Sequence, residues 1–319
     1  MTVIKDRLLQ KGHSVKSREI ITPSQSMGAL DPEIVSRCCD LIREADGILI
    51  GAGAGLSADA GLDYKDTARF ARLFPAMVKR GFRMQAELIG YKGWSPEIQW
   101  GYLATHVNEM RFKAPPHPVY GRLLDLVRNK NYFVMTSNVD EMFVKNSFDA
   151  KRVFTPQGSY ALMQCLKPCR NKTWPTKPII DRILPKIDPK TQEVTDPEVI
   201  PRCPYCGGPV FMNVRGGDWF LEDPYEEQAE RFSDWVNHKR GRLLALEIGA
   251  GFNTPGVIRW PMERVVHFHP EAHLVRVNLQ WPQVPREIAD KSVSLQCSAM
   301  KAVTALWTAM GMGGEGEGV

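Results

Sequence analysis

Of seven cysteines in 319 residues, four fall in two close pairs, Cys165/Cys169 and Cys203/Cys206. Two thiolate pairs with about 33 residues between them match a zinc ribbon, where each pair supplies two corners of a tetrahedron. Gly207-Gly208 after the second pair lets backbone N–H groups turn toward sulfur. Four thiolates leave no open coordination position, so the predicted ion is structural. Cys38-Cys39 reads as small core residues on a helix. His267-x-His269-x-x-x-His273 is expected on a partly exposed strand edge and, with only Glu271 for company, not at a metal. Trp94, Trp100 and Tyr102 could line a pocket, although aromatic residues in that number more often form core.

A second group of residues suits a phosphate-bearing ligand. Gly51-x-Gly53-x-Gly55 follows a short apolar run, and glycines after a strand let backbone approach a pyrophosphate. The run departs from the dinucleotide fingerprint, because Leu56 and Ala58 stand where that motif, begun at Gly51 or Gly53, needs its third glycine. No second short strand ends in an acid about 20 residues on, which weakens a dehydrogenase reading. Close helix–strand packing is the alternative, and the run reads as a phosphate loop of another type, or none. The polar run Thr136-Ser137-Asn138-Val139-Asp140 likewise ends an apolar segment.

The elements that position these residues are legible from periodicity. A helix is expected from Asp31, with Pro32 in its first turn and Ile34, Cys38, Leu41 and Ile42 on one face. Apolar strands are expected at Ile48–Ile50, 132–135, 243–248 and 272–279, with a helix over 119–130. This alternation predicts an α/β fold, a doubly wound parallel sheet binding a ligand beyond the carboxyl ends of its strands. Residues 161–215 break the pattern with clustered prolines and both cysteine pairs, and read as an inserted zinc module without a core of its own. The expected domains are an arm (1–30), an α/β domain (31–160 and 216–310), the zinc module (161–215) and a glycine- and glutamate-rich tail (311–319).

Composition closes off other classes. With 43% hydrophobic and 24% charged residues the chain is neither disordered nor collagenous. No apolar run approaches the ~18 residues of a membrane span. The excess of 41 Lys+Arg over 36 Asp+Glu is mild and forms no basic block, so no nucleic-acid partner is expected. The first 30 residues hold five basic and two acidic side chains without an apolar stretch, which argues against a secretory signal. The expected compartment is the cytoplasm, with a mitochondrial address left open.

Taken together, the motifs resemble the sirtuin family. Gly53-Ala54-Gly55-Leu56-Ser57-Ala58-Asp59-Ala60-Gly61 resembles the sirtuin GAGISTSAG loop, and Thr136-Ser137-Asn138-Val139-Asp140 resembles TQNID. Pro116-His117-Pro118 is similar to the helix start before it, and the cysteine pairs stand where sirtuins carry their zinc ribbon. Gly249-Ala250-Gly251-Phe252-Asn253-Thr254-Pro255 resembles the loop that contacts cofactor phosphate and ribose, and Val277-Asn278 the pair at the adenosine end. The resemblance implies NAD as co-substrate and structural zinc on Cys165, Cys169, Cys203 and Cys206. It assigns Asn138 to the nicotinamide ribose and a water, and Asp140 to the nicotinamide carboxamide. It places Gly53, Ala54, Gly55 and Ser57 at the pyrophosphate, with Asp63, Tyr64 and Ser137 beside the cofactor. Gly249, Gly251, Asn253 and Asn278 take the adenosine half.

Three departures matter. Sirtuin deacylases carry a histidine base where Thr155-Pro156-Gln157-Gly158 has Gln157. Glutamine can orient a ribose hydroxyl but cannot accept a proton near neutral pH. The acyl-lysine pairing segment is replaced by Asn213–Asp218, and PDFR by Leu62-Asp63-Tyr64-Lys65. This combination resembles the macrodomain-linked class, which implies ADP-ribosyl transfer onto a protein, in that class a lipoyl-carrier protein, with Asn138, Asp140 and Gln157 as the catalytic set. It also implies a macrodomain hydrolase as a separate reversing partner. The alternatives are a deacylase that tolerates Gln157 and a non-catalytic sensor of NAD or ADP-ribose.

Overall fold

Strands buried on both faces must be apolar along their length, and helices between them keep neighbouring strands parallel. The computed structural model describes residues 20–21, 30–238 and 241–313, so most of the expected arm and tail lies outside the described residues. Its main sheet starts with β1 (Gly47–Ala52), β2 (Tyr132–Thr136) and β3 (Val153–Phe154). A separate three-stranded antiparallel sheet of β4 (Gly158–Cys165), β5 (Thr173–Pro175) and β6 (Val210–Val214) follows. The main sheet resumes with β7 (Leu243–Ile248), β8 (Ala272–Val277) and β9 (Ser292–Leu295). Its spatial order is β9-β8-β7-β1-β2-β3, parallel throughout. Strand order therefore reverses between β1 and β7, where a doubly wound sheet opens its ligand crevice.

The expected strands are present with shifted ends. β8 stops at Val277 and not at 279, because the Asn278 side-chain oxygen accepts N–H bonds from Gln280 (3.1 Å) and Trp281 (2.9 Å) and turns the chain. The histidine segment departs from expectation: His267 lies on a helix and His269 caps it, one turn before β8 begins. Among the described residues the only cluster able to hold a metal is the four cysteines.

Helices α1 (Pro32–Glu44), α2 (Ala54–Asp59), α3 (Pro96–Val107), α4 (Pro118–Val127), α5 (Glu226–Asn237), α6 (Arg259–Phe268) and α7 (Ala299–Ala309) complete the frame. Asp31 caps α1 by accepting the Glu33 N–H at 2.9 Å, with Pro32 in the first turn where no donor is needed. Its buried face carries Cys38, Cys39 and Ile42, which join α4 and α7 residues against one side of the sheet. Phe232 of α5 and Met262 and Val266 of α6 cover the other side. The cysteine module shares a core with α3 and the segment before it: Phe70, Phe74, Trp100 and Tyr102 pack with Met163, Ile180, Val210 and Met212. No helix among the described residues is long and apolar enough to cross a membrane.

Below the carboxyl ends of β7 and β8 lie four charges almost without solvent contact. Glu247 and Arg276 are cross-strand partners in register. Arg276 grips Glu247 with two bonds of 2.7 Å and reaches Glu263 of α6 at 2.9 Å. Arg259 sits 3.7 Å from both carboxylates. Burial lowers Arg259 to about 10 and raises Glu263, so each ion depends on its partners to stay charged. Removing one charge while keeping its shape should therefore cost more than removing a pair. Glu247→Gln is expected to lose about 3–5 kcal/mol of stability in urea unfolding. The double replacement Glu247→Leu/Arg276→Met should recover a large part of it, and equal losses would show that shape, not charge, matters there.

Candidate active site

Two glycine loops leave the sheet side by side, one after β1 and one after β7. The Gly53 N–H donates to the Ile248 carbonyl at 2.9 Å and the Gly55 N–H to the Gly249 carbonyl at 3.1 Å. A side chain at Gly53 would put Cβ 2.6 Å from the Ala250 Cα, and one at Gly55 would meet the Gly249 Cα at 2.8 Å. Gly249 adopts φ +66° against the same backbone. Close packing is thus what Gly53 and Gly55 provide, and their N–H groups are already committed.

On the β2 side, one hydrogen-bonded knot joins three of the expected residues. The Asn138 amide nitrogen donates to the Gly53 carbonyl at 3.0 Å and to the Ser57 Oγ at 2.9 Å. Ser57 in turn donates to Asp140 Oδ2 at 2.6 Å, and the Met142 N–H donates to Oδ1 at 3.0 Å. The Tyr120 hydroxyl lies 2.9 Å from the same Ser57 Oγ. Asn138 and Asp140 are buried, at 8% and 6% exposure, and burial pushes the Asp140 carboxyl above its ordinary range. Since the Asn138 NH₂ is spent inward, its Oδ1 is the group free to receive a ligand hydroxyl or a water. Ser137 hangs from β1 through its N–H to the Ala52 carbonyl at 3.0 Å.

Gln157 sits apart from this knot, half-buried in the turn before β4. Its carbonyl accepts the Arg215 N–H at 3.0 Å, while the Arg215 Nε bonds the Pro156 carbonyl at 3.1 Å. The flanking residues Thr155 and Ser159 line a cavity of about 260 Å³ that also touches Asn138 and Asp140. Glu141, at φ +57°, closes one wall, accepting from Ser159 at 2.7 Å and pairing with Arg111. A non-glycine residue held left-handed directly after Asp140 is strain stored beside the site.

Sequence reasoning missed a chain of hydroxyls on the far side. Tyr64 and Tyr160 share a hydroxyl bond of 3.0 Å, and the His106 Nε2 lies 3.0 Å from Tyr160. Tyr160 donates its N–H to the Val139 carbonyl, so this chain is tied to the Asn138–Asp140 segment. Burial, with Arg69 nearby, lowers His106 to about 3, leaving a neutral imidazole. Asp63 is used locally, accepting the Lys65 N–H at 2.8 Å. At the other end, Asn278 donates to the Ala250 carbonyl at 2.8 Å, and Asn253 is exposed in the same loop. The buried ion quartet had a visible signal in the sequence: Glu247 and Arg276 are charges inside otherwise apolar strands.

The four cysteine sulfurs lie within 4.8 Å of one another, with Cys165 and Cys206 3.7 Å apart and Cys169 and Cys203 3.5 Å apart. Zn–S bonds of about 2.3 Å in a tetrahedron require sulfur separations of about 3.8 Å, so the set fits zinc. Burial opposes ionisation of Cys203, yet the Tyr205 and Cys206 N–H groups outweigh it and hold the thiol at about 7. Cys169 is raised to about 12 by desolvation and by its three thiol neighbours, the response of a donor set that needs a cation to lose all its protons.

No family model matches the chain. A *Staphylococcus aureus* protein ADP-ribosyltransferase is 32% identical over 261 residues, 80% of this chain and 81% of that protein. A *Fusarium oxysporum* f. sp. cubense protein, described as a probable bifunctional ADP-ribose hydrolase/ADP-ribosyltransferase, is 39% identical over 262 residues. That match takes in 79% of this chain, which spans 44% of the fungal relative's length. A solved structure of a Sir2 enzyme superposes with TM-score 0.57 at 16% identity, over 88% of this chain and 98% of that one, which shows a shared fold.

Two outcomes follow from this geometry. The purified chain should carry about one zinc per molecule, and Cys203→Ser or strong chelation should unfold the cysteine module, read by metal analysis and circular dichroism. A folded protein without metal would contradict it. For His106, the folded value of about 3 against an ordinary 6.5 means that only the unfolded chain takes up its proton between those pH values. Stability from this site is complete above 6.5 and declines as pH falls toward 3. Between pH 7 and 5 the wild type should lose about 2 kcal/mol more than His106→Asn, measured by urea unfolding at both pH values.

Proposed function

This chain belongs to the sirtuin-type protein ADP-ribosyltransferases, a family of NAD-dependent enzymes, and we propose that it cleaves the nicotinamide–ribose bond of NAD and transfers ADP-ribose to a protein. One observation carries the reading: the Asn138–Ser57–Asp140 knot is built as a polar site, while the turn whose flanks, Thr155 and Ser159, share its cavity holds Gln157 and no titratable base. As the C–N bond breaks, its electron pair leaves with nicotinamide and positive charge develops on the ribose carbon and ring oxygen. Asp140, already fixed by Ser57 and Met142, takes the nicotinamide carboxamide and holds the leaving group in place. Asn138 Oδ1 receives a ribose hydroxyl or a water, and Gln157 orients the remaining hydroxyls. Without a base at residue 157, the acceptor must bring an ionised nucleophile or its own base.

The acceptor we favour is a lipoyl-carrier protein, the one implied by the class this chain resembles. A hydrolase that removes the mark is a second expected partner; the fungal relative, described as bifunctional, supports a pairing of the two activities. Zinc held on four thiolates suits a reducing compartment, and we place the protein in the cytoplasm.

The test is labelled NAD with lipoylated and unlipoylated carrier proteins, following label on protein and free nicotinamide. Asn138→Ala should slow nicotinamide release by ~10²–10³, the scale of one preorganised polar contact, with NAD affinity little changed. Equal loss of binding and turnover would reduce Asn138 to a structural role. Robust deacylation of acetyl-lysine peptides by the wild type, untouched by Gln157→Ala, would replace the transferase reading with a deacylase.

A further inference from the structure

The mild positive charge of the chain is not evenly placed. Residues 158–180 and 199–217 hold six cations, Lys167, Arg170, Lys172, Lys177, Arg202 and Arg215, and no carboxylate. These two segments carry β4, β5, β6 and both cysteine pairs. Two of the six are paired from outside, Lys177 by Asp181 and Arg215 by Glu222, and Asp223 touches the module at the Asn171 amide. The other four, Lys167, Arg170, Lys172 and Arg202, are exposed, and among the described residues none has a carboxylate within ion-pair distance.

These four come together because the two cysteine turns fold against each other. The Lys167 stem lies over Gly208, where a Cβ would sit 3.5 Å from its Cδ. The Arg170 guanidinium stands 4.8 Å from the Tyr205 ring centroid, and Arg202 Nη1 is 3.5 Å from the Gly207 carbonyl. The Lys172 N–H donates to the Arg170 carbonyl at 2.9 Å, which keeps both in one turn. Tyr205 is 44% exposed, with Trp174 at 6.4 Å and planes at 73°. Aromatic rings beside arginine are the composition of a protein-binding hot spot, and cations without carboxylate partners around them select a negatively charged surface.

Strand β4 relates this tip to the site. It begins at Gly158, directly after Gln157, and ends at Cys165, about 23 Å away at ~3.3 Å per residue. A protein–protein contact of ordinary size covers about 800 Å² on each partner, a patch about 30 Å across. A protein with its reacting group beside the Gln157 turn therefore overlaps the cationic tip, whereas a small molecule there does not. We propose that Tyr205, Lys167, Arg170, Lys172 and Arg202 form a docking surface for the protein acceptor, which meets them with an acidic patch. The proposal rests on the transferase reading above and adds where the acceptor is held and the charge by which it is chosen.

The experiment uses full chains and, as acceptor probe, a lipoylated carrier protein of net negative charge. It compares wild type with Lys167→Glu/Arg170→Glu/Lys172→Glu and with the milder Lys167→Gln/Arg170→Gln/Lys172→Gln. Label on the carrier gives KM for the acceptor, and nicotinamide release without carrier gives KM and kcat for NAD. The glutamate triple should raise acceptor KM about tenfold, the scale of three exposed ion pairs, and the glutamine triple about threefold. Both NAD parameters should stay within about twofold. Added salt should raise the wild-type acceptor KM and leave that of the glutamine triple nearly flat, and polyglutamate should compete with the carrier only in the wild type. An acceptor KM unchanged in both triples, or a salt-insensitive wild type, would overturn the docking surface and leave the transferase reading standing. Nicotinamide release lost in parallel with transfer would make these cations a structural need of the module and overturn docking. Stronger competition by duplex DNA than by polyglutamate would give the patch to nucleic acid and overturn it as well. A wild type that releases nicotinamide but labels no carrier would fail the transfer reading and the docking surface together.

Discussion

Four charges sealed under the carboxyl ends of β7 and β8 are the constraint on which the ligand crevice depends. A buried pair such as Glu247 and Arg276 gains little net stability over apolar residues of the same size, since desolvation offsets most of the attraction. What it gains is direction. Arg276 and Arg259 still have donors to spare after meeting Glu247 and Glu263, and these reach the carbonyls of Gln283 and Trp281. Loops that would otherwise move with their own side chains are instead bonded to ions that cannot leave the core. An apolar core would fill the same volume but offer those carbonyls nothing.

The second constraint is distance. β1 and β7 are neighbours, and their glycine loops touch backbone to backbone through Gly53, Gly55 and Gly249. This contact draws the start of α2 toward the crevice and brings Ser57 within reach of Asn138 and Asp140, which come from the end of β2. The Asn138–Asp140 knot is therefore assembled by strand adjacency plus one serine hydroxyl that bonds Asp140, Tyr120 and Asn138. Each partner comes from a different element, so the geometry belongs to the sheet and not to any one loop.

Much of this was legible in the sequence, for definable reasons. The strands announce themselves because burial on both faces forces continuous apolar runs, and the polar and glycine-rich segments after them mark the crevice side. The cysteine pairs were legible because metal spacing is local. Relations between distant segments were not: nothing in the sequence pairs His106 with Tyr160, or places the segment around α3 in one core with the cysteine module. The histidine segment misled because alternating imidazoles mimic strand period, whereas Val265, Val266 and Phe268 continue a helix around them. The glycines after β1 could be read as ligand cradle or as packing, and the N–H bonds of Gly53 to Ile248 and of Gly55 to Gly249 show that they pack.

Gln157 joins the two halves of the molecule. It precedes Gly158, which takes φ +91° and would place a Cβ 2.1 Å from the Asn213 carbonyl, so the turn accepts only glycine there. Gly158 opens β4, and the same strand ends at Cys165, one of the four clustered cysteines. The cysteine cluster and the turn that holds Gln157 are thus the two ends of one strand. Arg215, next after β6, fixes that turn from the other side through the Gln157 and Pro156 carbonyls. With the backbone held so firmly, exchanging the side chain at residue 157 changes chemistry and not geometry. A glutamine there can hydrogen-bond but cannot accept a proton near neutral pH, so any base for this site must come from elsewhere.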